Sequence, residues 1–178
     1  MYNLADKVIL VSGGTGSLGQ TLVPFLMREK VKKIIIYSRG EYAQVMMERK
    51  FTREKYPIRY FIGDVRDKQR LKRALCNVDI AIHLAAIKHI DKAQYDPFEA
   101  INTNVIGSEN LINASIDCGI EKVLAITSDK EVSPTSLYGA SKQAATFMFI
   151  AANNYSPKQT KFSVIRFGNF WNSSGSFI

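Results

Sequence analysis

Lys7-Val-Ile-Leu-Val-Ser-Gly-Gly-Thr-Gly-Ser-Leu-Gly19 decides the fold of this 178-residue chain. A short apolar run rich in β-branched residues ends at Ser12, and four glycines follow within seven residues. Val and Ile suit a strand, and glycines permit a tight turn that lets backbone approach a ligand closely. Leu18, Leu22, Phe25, Leu26 and Met27 then recur on one side of a helix, with Pro24 inside the pattern. Strand, glycine turn and helix start together make an anion site. Unpaired N–H groups and the positive end of the helix dipole suit a pyrophosphate. Gly13, Thr15, Gly16, Ser17, Leu18 and Gly19 are its candidate contacts.

Outward from this turn the same alternation repeats. Apolar runs at Lys33–Tyr37, Ile58–Ile62, Val78–His83, Lys122–Thr127 and Phe162–Arg166 read as five further strands. Between them lie helical patterns over Glu41–Arg53, from Asp67 to Leu75, Pro97–Cys118 and Tyr138–Asn153. Asp67 suits an N-cap and Gly119 a C′ glycine. Nearly continuous apolar strands indicate a parallel sheet covered on both faces. The chain is therefore α/β: a doubly wound, Rossmann-type parallel sheet with helices on both faces.

Composition is that of an ordinary globular protein, at 46% hydrophobic and 22% charged residues. No apolar stretch approaches the roughly 18 residues of a membrane span, and the first residues do not read as a signal peptide. Cys76 and Cys118 read as reduced packing residues of a cytoplasmic protein. His and Cys show no metal-ligand spacing, so no metal is expected. His83 and His89 read as packing or loop residues, and Met46-Met47 and Phe147-Met-Phe149 as core or interface. The net charge of +8 gathers in Arg49–Arg59 and Arg66–Arg73. These runs read as solvated faces, with no nucleic-acid motif beside them.

The second strand ends Tyr37-Ser38-Arg39, without the acid that grips a ribose 2′-hydroxyl in NAD sites. A hydroxyl and a guanidinium suit a 2′-phosphate, so NADP is the expected cofactor. Asp64-Val65, after the third strand, is placed to contact adenine, although Asp64 equally suits a loop cap. Tyr138 and Lys142 stand four apart on one helix face. A lysine charge that lowers the phenol pKa makes Tyr138 a base for a substrate hydroxyl beside a hydride carrier. Ser128 can bond the same substrate oxygen, and Asp129-Lys130 adds an acid and an amine.

These residues carry a family resemblance. The chain resembles the extended short-chain dehydrogenase/reductases, and more narrowly the inverting UDP-N-acetylglucosamine 4,6-dehydratases of the polysaccharide-biosynthesis group. The matching stretches are Ser12–Gly19, Ile36–Arg39, Phe61–Asp67, His83–His89, Thr127–Lys130, Leu137–Lys142 and Ser163–Asn169. The resemblance implies that Tyr138 deprotonates the sugar 4-hydroxyl, Lys130 removes the C5 proton and Asp129 protonates the leaving C6 hydroxyl. It places Ala85 against the cofactor, and Lys88 and Asn169 against a UDP-sugar. It implies a lyase that inverts C5 in surface-glycan synthesis and assembles as a homo-oligomer. Family members run longer, so residues 1–178 are expected to form the NADP-binding domain. The substrate part begins at about 168–178 and is largely absent, and activity of this stretch alone is expected to be weak or nil. A 4-epimerase or reductase of the same superfamily, or a non-catalytic NADP-binding module, are the alternatives left open.

Overall fold

The computed structural model describes residues 3–156 and 160–169. Six strands lie among these residues: β1 (Val8–Ser12), β2 (Lys33–Ser38), β3 (Ile58–Ile62), β4 (Ile80–His83), β5 (Lys122–Ser128) and β6 (Lys161–Phe167). They form one parallel sheet in the order β3-β2-β1-β4-β5-β6. This is the doubly wound fold that the alternating pattern predicts. Adjacent strand residues point to opposite faces, yet Ile9, Leu10 and Val11 are all fully buried. Both faces are therefore covered, which explains why these strands are apolar throughout.

Helices α1 (Ser17–Arg28) and α2 (Glu41–Lys50) supply Val23, Leu26 and Met47 to one face, against Ile9, Val11, Ile34 and Ile36. Helix α3 (Lys68–Leu75) covers the other with Leu71 and Leu75. Asp67 caps α3 by accepting from the Arg70 N–H at 2.9 Å, as expected. A short helix α4 (Ile90–Tyr95), which the sequence pattern does not predict, buries only Ala93.

The helix expected over Pro97–Cys118 comes in three parts. These are α5 (Pro97–Ile101), a π-helical turn at Asn102–Ile106, and α6 (Gly107–Cys118). Gly119 ends α6 in the left-handed region, as a C′ glycine should. A 3₁₀ turn, Asp129–Glu131, follows β5 and leads to α7 (Leu137–Tyr155), which packs Phe149 and Ala152 on the sheet. α2 stops at Lys50 rather than Arg53, where Phe51 leaves helical geometry and enters the core.

Met47 and Phe149 are core residues, whereas Met46 and Phe147 are exposed. Neither cysteine is in a disulfide among the described residues. Cys118 packs on the core, but Cys76 is exposed and is not a packing residue. No described helix is long and apolar enough to cross a membrane. The stretch expected to open a substrate part, about 168–178, lies outside the described residues from 170 onward.

Candidate active site

In a doubly wound sheet, ligands bind where the strand order reverses, beyond the carboxyl ends of the strands. Here the reversal falls between β1 and β4, and a cleft of about 1100 Å³ opens there. The glycine turn forms one wall. Gly13 has φ of 67°, and an added Cβ would lie 2.7 Å from the Ala85 nitrogen, so no side chain fits between the two turns. Gly16 starts α1 without a side-chain cap, and the first turn of α1 carries no acid. Its N–H donors are left for a ligand. Gly13, Thr15, Gly16, Ser17, Leu18, Gly19 and Ala85 all line the cleft. This donor-rich, acid-free wall fits a pyrophosphate.

Ser38 and Arg39 line the cleft at the end of β2. Arg39 reaches the Asp64 carboxylate at 3.7 Å. Asp64 also accepts from the backbone and side chain of Arg66 at 2.7–2.9 Å, so it caps its loop and lines the cleft at once. Burial pushes the Asp64 carboxyl up, but the bonds to Arg66 outweigh burial and hold it below the usual carboxylate range. Val65 is buried beside it and also lines the cleft.

The other end holds Ser128, Lys130, Tyr138, Lys142, Lys88 and Asn169. Tyr138 is nearly buried beside Ala93 and Ala100. Burial raises its phenol pKa, while a hydrogen bond with Ser128 and the charge of Lys130 pull the other way. That pull comes from Ser128 and Lys130 rather than from Lys142, whose Nζ donates to the Ile126 carbonyl at 2.8 Å. Burial pushes the Lys142 amine down to about 8. Lys130 Nζ donates to Asp129 at 3.2 Å and to Asn169 Oδ1 at 2.9 Å. Hydrogen bonds from Ser128 and Lys130 hold the Asp129 carboxyl below its ordinary value. Asp129 does not itself line the cleft; its side chain is 56% exposed at the rim.

Four residues outside the motifs complete the site. Asn104, in the π-helical turn, accepts from the Ile87 N–H at 2.8 Å and donates to the Ile87 carbonyl and Ser141. It thereby fixes the loop that carries Ala85 and Lys88. Thr103 lines the cleft, and its hydroxyl is buried without a protein partner. Gln44 is buried behind Ser38. Glu131, 1% exposed, binds Arg166 at 2.7 Å, Thr146 at 2.5 Å and Thr127. These bonds tie the 3₁₀ turn to β5, β6 and α7. Motif spacing hides all four: Asn104 and Glu131 depend on partners distant in sequence, Gln44 acts from the helix after its strand, and Thr103 has no protein partner. His83 is a buried packing residue bonded to Ser12, and His89 precedes α4 at the cleft. Among the described residues no group of His, Cys, Asp and Glu could hold a metal.

The profile of the family described as "Polysaccharide biosynthesis protein" matches residues 9–178. The inverting UDP-N-acetylglucosamine 4,6-dehydratase of Campylobacter jejuni subsp. jejuni is 48% identical across all of this chain and 53% of its own length. The X-ray structure of Pen from Bacillus thuringiensis superposes with a TM-score of 0.95 at 38% identity, over 98% of this chain and 56% of that one. DesIV, a dTDP-glucose 4,6-dehydratase from Streptomyces venezuelae solved with NAD and TYD bound, gives 0.78 at 25% identity, over 89% and 55%. The chain spans about half the length of the curated relatives it matches.

Proposed function

The chain belongs to the polysaccharide biosynthesis protein family, and from that premise we propose that it is the NADP-binding half of an inverting UDP-N-acetylglucosamine 4,6-dehydratase, a lyase. One observation carries the reading: Ser128, Lys130, Tyr138 and Lys142 share a cleft with the glycine turn. The uncapped start of α1 supports a dinucleotide there. Ser38 and Arg39 favour a 2′-phosphate by charge-assisted hydrogen bonds, and hence NADP over NAD. Asp64, Val65 and Ala85 flank the adenosine and nicotinamide parts.

When bound, NADP supplies a hydride acceptor for C4 of the sugar and a hydride source for C6. Tyr138 takes the proton of the 4-hydroxyl, with Ser128 holding the same oxygen. The 4-ketone makes the C5 proton acidic. Asp129 and Lys130, 3.2 Å apart, stand as carboxylate and ammonium in an open rim. Moving one proton from Lys130 to Asp129 creates both an amine base and a carboxylic acid. Dehydrating the rim under a bound sugar favours that neutral pair, because desolvation disfavours charge. Lys130 then removes the C5 proton, Asp129 protonates the C6 oxygen and water leaves. Return of a proton to the opposite face inverts C5. Asn169 holds Lys130 in place, and Lys88 reaches the UDP-sugar. A cytoplasmic setting, homo-oligomeric assembly and no nucleic-acid partner complete the proposal; two cysteines outside any disulfide suit a reducing compartment.

The test is incubation with UDP-N-acetylglucosamine and NADP in deuterium oxide, followed by mass spectrometry of the sugar. The 178 residues alone are expected to bind NADP with weak or no turnover. Any product formed should be a 4-keto-6-deoxy sugar with deuterium at C5, abolished in Lys130→Ala. A product of unchanged mass identifies an epimerase, and binding of neither dinucleotide overturns the reading.

A further inference from the structure

We propose that Gln44 sets the cofactor preference of this chain by presenting the Ser38 hydroxyl to the cleft as a proton donor. The proposal rests on the reading that the cleft holds NADP. Gln44 lies in the first half of α2 and is 4% exposed. Its Nε2 lies 3.0 Å from the Ser38 carbonyl, 3.1 Å from the Phe61 carbonyl and 2.9 Å from Ser38 Oγ. The two carbonyls are acceptors only, so the amide must turn its NH₂ toward them, and its oxygen cannot take that place. Chemistry thus fixes the orientation of the amide.

The consequence falls on Ser38. Facing an NH₂ group, Ser38 Oγ can accept from it but cannot donate to it. The single hydroxyl proton of Ser38 is free to point elsewhere, and Ser38 lines the cleft beside Arg39. A phosphate oxygen only accepts at neutral pH. A donor hydroxyl next to a guanidinium therefore matches it, and gains more from it than from a neutral ribose hydroxyl. Gln44 touches no ligand and acts only through Ser38; it is a positioning residue. Its bonds to the ends of β2 and β3 also keep Ser38 from rotating away.

The experiment is calorimetric titration of NADP and of NAD into the 178-residue chain and its variants. The unaltered chain is expected to prefer NADP. Ser38→Ala should weaken NADP binding about tenfold, the worth of one charge-assisted hydrogen bond, and change NAD binding less than about twofold. Gln44→Met should do the same, and the double variant should be no weaker than either single one, because both remove one hydroxyl contact. Gln44→Leu removes the same donor with another apolar side chain. It should lose NADP and spare NAD, and it serves if Gln44→Met does not fold. An unchanged preference in Ser38→Ala overturns the proposal, as do equal losses of both dinucleotides in the Gln44 variants or additive losses in the double variant. If the unaltered chain binds neither dinucleotide or prefers NAD, the cofactor reading falls and takes this one with it. If it prefers NADP and the variants behave otherwise than stated, only the role of Gln44 falls.

Discussion

Burial of the Lys142 amine makes the folded chain release its proton sooner than the unfolded one, at about pH 8 against 10.5. Below pH 8 both states are protonated and the folded state bears the whole burial penalty. Between about 8 and 10.5 only the unfolded chain keeps the proton, so stability rises with pH, by on the order of 3 kcal/mol. Above pH 10 the Tyr60 phenol, pushed up by burial to about 12, stays protonated only in the folded chain and turns the trend downward. A melting curve measured from pH 7 to about 10 is expected to climb, and Lys142→Met should flatten it. Glu131 is the second residue to test. Its carboxylate holds Arg166, Thr127 and Thr146 at 1% exposure. Glu131→Ala should lower stability by about 3 kcal/mol in urea unfolding, because it leaves those groups without their shared partner. Tyr138, Lys142 and the glycines are legible in sequence because their chemistry sits at short fixed spacings. Glu131 is not, since Arg166 lies 35 positions away and only the β5–β6 pairing brings it near.

Elements are legible wherever their apolar period is strong, as in the six strands and α7. The π-helical turn is not, because no apolar period marks it. Within it Asn104 bonds Ile87, 17 positions earlier. Such widened turns concentrate at functional sites. Asn104→Ala is expected to raise amide exchange over residues 84–89 and to weaken binding of the proposed dinucleotide severalfold, with little change elsewhere. Exchange mass spectrometry with and without cofactor reads both effects. α4 escapes sequence reading for a simpler reason: six residues that bury one alanine show no period. The junction of the 3₁₀ turn with α7 is closer still. A Cβ on Gly139 would collide with the Lys130 carbonyl oxygen, which belongs to backbone and cannot swing aside. Gly139→Ala should therefore displace the Asp129–Lys130 turn and cost about 1–3 kcal/mol of stability. A thermal melt measures the loss.

Across the whole molecule, the sheet is two three-stranded halves, β3-β2-β1 and β4-β5-β6, that meet only at the β1–β4 pair. At the cleft end of that seam Ser12 pairs with His83. Ser12 Oγ lies 2.7 Å from Nδ1, and Ser108 Oγ lies 3.4 Å from Nε2 while giving its own proton to the Asn104 carbonyl. Ser108 can thus only accept from the ring, so Nε2 carries the hydrogen and Nδ1 receives the Ser12 proton. Burial pushes the His83 pKa down to about 3. From about pH 6.5 down to that value only the unfolded chain takes a proton there, and stability falls as pH falls. Because the folded ring stays neutral until about pH 3, this loss falls on the folded chain as a whole. Urea unfolding at pH 5 is expected to show lower stability than at pH 7, and His83→Gln should shrink the difference. The pair of strands that joins the two halves thus makes mild acid a cost on the entire fold.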